Sequence, residues 1–186
     1  MKIEYNLSHD DTVKKWDDMI LYNKEVFKQL SSMFFARTVD LYDQKHMTIE
    51  NYNDQIHDII HNIIKKQNDH REIQNSFFQA IISHCIAALW LFNDDPMLIV
   101  FDPSYIWEKQ IEKSRKLMIE KNKNYGSSWS IMRPESITDV IHTKIHRTIS
   151  LLEGEQNKFE SIQDTFEDII NYCIFCLIRM ELDKGE

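Results

Sequence analysis

Three glycines and three prolines in 186 residues constrain this chain more than any other feature of it. A sheet protein needs turn chemistry about every 8–12 residues, and glycine and proline supply most of it. Apolar residues recur instead at spacings of three and four along nearly the whole chain, which is the period of amphipathic helices. The expected fold class is therefore all-α, a bundle of about six helices at residues 9–42, 47–67, 70–93, 103–123, 136–153 and 158–183. Only "KIEYNLS" and "MLIVFD" read as brief extended pieces.

Local signals refine this. The fourth helix opens at "DPS", where proline suits a first turn. The fifth opens at "SITD", where Ser136 and Asp139 have capping-box spacing with Asp in place of Glu or Gln. "NDDPM" (residues 93–97) is the clearest boundary and divides an N-terminal helical region, 1–95, from a second helical unit, 96–186. The apolar run "AIISHCIAALWLF" is too short to span a bilayer, and "MKIEYNLSHDD" has no secretory pattern. Cys85, Cys173 and Cys176 lie in apolar helical stretches. An odd count in such places points to reduced, buried thiols and a cytoplasmic setting. His84, on the same apolar run, reads as a core histidine. No membrane partner is expected, and the net charge of −8 argues against sequence-independent DNA binding, which needs a basic stripe. It leaves room for a small anionic ligand held by a few placed cations.

"KNKNYGSSWSIMRPESITD" (residues 121–139) concentrates rare residues between two helices. Lys121 and Lys123 offer charge to a phosphate, and Gly126 permits close backbone approach. Tyr125 and Trp129 are either flat faces for a base or anchors that fold the loop. Ser127, Ser128 and the start of the next helix add donors for an anion. On that helix Asp139, His142 and His146 share a face at spacings of three and four, suited to a metal or a phosphate, and Arg147 at its edge can grip a phosphate bidentately. On the last helix Glu160, Asp164, Glu167 and Asn171 form a narrow stripe with Asp168 at its edge. Such carboxylates suit Mg²⁺, or merely a favoured first turn. The dipeptide His57-Asp58 has the form of an HD-phosphohydrolase pair but lacks defined partners.

These residues resemble the nucleotide modification associated domain 1 family, found largely in phages and bacteria, over about residues 104–183. The pattern falls on Lys121, Asn122, Tyr125, Gly126, Ser128, Trp129, Arg133, Ser136, Asp139, Lys144, Arg147, Asp164, Asp168, Asn171 and Tyr172. The family's Asp before Tyr-Gly is Asn124 here. More distantly the arrangement looks like the all-helical MazG-type nucleoside triphosphate pyrophosphohydrolases, although their first carboxylate motif is missing. The resemblance implies a nucleotide-binding protein of phage-type nucleotide or DNA base modification, a homodimer in the cytoplasm (the host's, for a phage protein). Lys121, Asn122, Tyr125, Gly126, Ser128, Trp129, Arg133, Lys144 and Arg147 would hold the nucleotide. Asp139, Asp164 and Asp168 would hold Mg²⁺ if the protein is a (d)NTP pyrophosphohydrolase. The alternative is a non-catalytic phage-type protein that binds a host protein.

Overall fold

Helix ends organise the structure. The computed structural model describes residues 7–40, 48–92, 103–154 and 161–184, with backbone alone at some of them, Tyr125 included. Six α-helices and no strand occur among these residues: α1 (His9–Asp40), α2 (Ile49–Asn68), α3 (Asn75–Leu91), α4 (Pro103–Tyr125), α5 (Pro134–Leu152) and α6 (Ile162–Lys184). A short 3₁₀ turn, Ser128–Ile131, lies between α4 and α5. The boundary at 93–97 and the extended candidate at 97–102 fall outside the described residues, as does most of "KIEYNLS".

Three helices start on reciprocal caps. Ser8 and Asp11 bond each other at α1, Thr48 and Asn51 at α2, and Ser161 and Asp164 at α6. Each satisfies backbone N–H groups that have no partner within the helix. The box expected at Ser136–Asp139 does not form. Helix α5 begins two residues earlier, at Pro134, with Arg133 as an N-cap that makes no side-chain bond. Proline's fixed φ and missing N–H already suit the first helical position. Pro103 likewise opens α4, as its local sequence suggests.

Three described helices end on left-handed residues, α5 on Gly154 (φ 95), whose N–H bonds the Leu151 carbonyl at 3.3 Å. At α4 the N–H of Gly126 (φ 64) bonds the Asn122 carbonyl at 2.9 Å. At α2 the same role falls to His70 (φ 53), with Arg71 N–H to Lys66 O at 2.8 Å and His70 N–H to Gln67 O at 3.0 Å. This Schellman turn stops α2 and delays α3 to residue 75.

Helix α6 is the hub. From Ile169 to Ile178 it is apolar nearly all round and buried, so it needs neighbours on every side. It packs most extensively on α5, then on α3, with α4 and α1 over the remaining faces, while α2 bridges α3 and α5. Trp16, Ile56, Ile60, Phe78, Ile81, Ile82, Ile141, Ile145 and Phe166 complete one continuous core. The three cysteines are buried and free. Burial pushes the Cys176 thiol up to about 12 and raises Cys85 and Cys173 well above the ordinary thiol value, so all three act as small apolar side chains.

Candidate functional site

Helices α4, α5 and α6 and the 3₁₀ turn enclose a cavity of about 390 Å³, within the range of small-molecule sites. Its polar centre is Asp168, on α6, whose side chain is only 5% exposed. Lys121 from the end of α4 donates to one carboxylate oxygen. Lys144 from the middle of α5 donates to the other at 2.8 Å. Three helices thus meet at one carboxylate. Among the described residues, two ammonium groups converge on this one carboxylate.

The apolar wall is built from Met118, Met132, Trp129 and Phe175. Trp129 is buried and stacks face to face on Phe175, with ring centroids 4.4 Å apart and planes 4° apart. One face of the indole is therefore occupied, and Trp129 is the anchor that pins the 3₁₀ turn to α6. Tyr172 completes the rim. Burial, and then the neighbouring Asp168 carboxylate, raise its phenol above the usual range. The buried Trp129 Nε1 and Asn122 Oδ1 make no hydrogen bond among the described residues. Both side chains line the cavity.

Elements far away in sequence hold the loop in place. His9 Nδ1 and Asn122 Nδ2 are 2.9 Å apart, and the Thr12 and Ser127 hydroxyls 2.8 Å apart, both reaching from α1. Arg179, buried on α6, donates to the Ser130 carbonyl at 3.2 Å. Asn171 accepts from Trp16 Nε1 at 3.1 Å and donates to the Ser114 carbonyl at 2.9 Å, clasping α1, α4 and α6 beside the cavity.

Of the expected ligand-binding residues, Lys121, Asn122, Gly126, Ser128, Trp129 and Lys144 line this cavity with Asp168. Arg133 and Arg147 do not. Arg133 is exposed at the start of α5, and Arg147 is half-buried along α5 outside the lining. The Tyr125 side chain and Glu160 lie outside the described residues. Gly126 is present for its dihedral angle rather than for a close approach, since nothing lies within 4 Å of where a Cβ would stand.

The three carboxylates expected around Mg²⁺ do not converge. Asp139 is exposed on α5, Asp164 is spent on the α6 cap, and Asp168 is held by two lysines. Among the described residues, three metal-ligating side chains come together only at His57, His142 and His146. Residues 121–180 hold two cues to the wall. Phe175 follows Asp164, Asp168 and Asn171 at spacings of four, three and four, and Met132 sits one residue from the turn. Met118 and the contacts from α1 carried no local signal.

No helix among the described residues is long and apolar enough to cross a membrane. No curated protein and no solved structure matches the chain. Residues 121–180, the segment that supplies both lysines, the glycine turn, the stacked tryptophan and most of α6, match the family model of nucleotide modification associated domain 1.

Proposed function

We propose that the cavity binds the phosphate end of a nucleotide as an anion, with Lys121 and Lys144 as its cationic grip and the apolar wall beside it for the base or sugar. The observation that supports this is the convergence of two lysines from different helices on one buried carboxylate. Without ligand, Asp168 keeps both ammonium groups oriented in a half-enclosed space. An entering phosphate shares their protons, and the two converging ammonium charges favour it. A divalent ion at the same point would have to displace two lysines from the carboxylate they share. Binding is therefore the better-supported role than phosphoanhydride hydrolysis by a protein-held metal. Any Mg²⁺ would arrive on the nucleotide's own phosphates, as that ion commonly does.

The test is calorimetric titration with deoxynucleoside mono- and triphosphates and with pyrophosphate, each with and without Mg²⁺. Binding is expected in the absence of Mg²⁺. Lys144→Ala should weaken it about tenfold or more, the worth of one charge-assisted hydrogen bond. Asp168→Asn should preserve or tighten anion binding while lowering the stability of the free protein, because two cations lose their partner. Affinity that needs Mg²⁺ and vanishes in Asp168→Asn would overturn the anion reading in favour of a metal site.

A further inference from the structure

Two helices that pack against each other each carry a His-x-x-x-His pair: His57 and His61 on α2, His142 and His146 on α5. Spacing of four puts each pair on one helix face. Nitrogen atoms of His57, His142 and His146 all lie within 4.8 Å of one another. The Nε2 atoms of His142 and His146 are 3.1 Å apart. Ligands at about 2.0–2.1 Å from a tetrahedral Zn²⁺ are separated by about 3.3 Å, so the pair already stands at close to the required bite. The His57 ring meets His146 edge-on, with centroids 5.5 Å apart, and His142 at 6.3 Å.

We infer that His57, His142 and His146 form a binding site for one borderline divalent transition-metal ion of the Zn²⁺ class, clipping α2 to α5. Three imidazoles suit Zn²⁺, Co²⁺, Ni²⁺ or Cu²⁺ and discriminate against Mg²⁺ and Ca²⁺, which prefer oxygen. A fourth position is open to water, to exposed Asp139 one turn before His142, or to His61, whose ring stacks over His57 at 6.5 Å. This site is separate from the nucleotide cavity. At about 100° per residue, Lys144 points roughly opposite to His142 and His146 around α5. The ion is therefore a structural clip between helices rather than a participant in phosphate binding.

The experiment uses the untagged full chain, freed of metal with a chelator and titrated with Co²⁺ and with Zn²⁺. One ion per chain is expected, with the visible absorption of low-symmetry four-coordinate Co²⁺, bleached by Zn²⁺ and unaffected by excess Mg²⁺. His146→Gln and His57→Gln should each weaken binding by about tenfold or more, and the rise in melting temperature on adding Zn²⁺ should disappear. His146 is exposed, so His146→Gln should keep the helical circular dichroism of the parent. His70→Gln, in the α2 turn, should leave metal affinity unchanged. Pyrophosphate affinity should be the same in His146→Gln as in the parent. Absence of Co²⁺ absorption, or unaltered Zn²⁺ affinity in the His57→Gln/His146→Gln double variant, would overturn the assignment.

Discussion

A buried ionisable group survives in a folded protein either by finding counter-charge or by giving up its own charge, and this molecule uses both solutions. Asp168 has Lys121 and Lys144 on its two oxygens. His84, packed in α3 beside Tyr52, takes the second route, and burial lowers its pKa from 6.5 to about 4. The sign follows directly. Between those values the unfolded chain binds a proton that the folded chain refuses, so His84 contributes full stability above pH 6.5. That contribution drains away as pH falls towards 4, by about 2 kcal/mol at pH 5. Urea unfolding of the parent and of His84→Leu at pH 7.5 and pH 5 should show this share of the acid loss missing from the variant. Identical acid losses in the two proteins would show that His84 is not the responsible group.

Helix ends decide where the elements stop, and two of them pose the same conformational problem with different residues. Gly126 and His70 both occupy the left-handed region at the C-terminal ends of their helices. Glycine enters it without strain, whereas a side chain costs about 1–2 kcal/mol. Substitutions should therefore act in opposite directions. Gly126→Ala is expected to destabilise by about 1 kcal/mol, with no steric clash to add since the site is open, and His70→Gly to stabilise by about 0.5–1 kcal/mol. Denaturant midpoints of the two variants check both signs at once. The helices themselves were legible in the sequence because their apolar period is sustained over five to nine turns. Their ends were less so, because signals compete. Ser136 and Asp139 look like a box, yet Pro134 starts the helix first. Asp164 has the spacing of a metal carboxylate stripe, yet its oxygen is already bonded to the Ser161 N–H. Lys121, Gly126, Trp129 and Asp168 could be found because they cluster around one unusual loop and its opposing helix. That His9 and Thr12 brace that loop across more than a hundred residues had no local trace, since sequence spacing reports only neighbours on one element.

At the scale of the whole molecule, the segment matched by the family model cannot be understood apart from the helices before it. Helix α6 turns buried faces towards α3 and α1 as well as towards α5 and α4. Its Ile169, Ile170, Cys173, Ile174 and Leu177 are each no more than 1% exposed. Trp16, also 1% exposed, reaches from α1 to bond Asn171 beside the cavity. Arg115 of α4 grips Asp17 of α1 through two bonds of 2.7 and 2.8 Å. Removing α1–α3 would expose the α3-facing side of α6, and each large apolar side chain returned to water costs about 1.5–3 kcal/mol. A handful of such residues equals the entire stability of a typical domain, about 5–15 kcal/mol. A fragment of residues 96–186 should therefore lack a cooperative thermal transition and fixed near-ultraviolet circular dichroism. The full chain should unfold in one step with coincident transitions by fluorescence and circular dichroism. A fragment that melts cooperatively and still binds pyrophosphate as the full chain does would show instead that α4–α6 close their own core, leaving the first three helices free for a separate task.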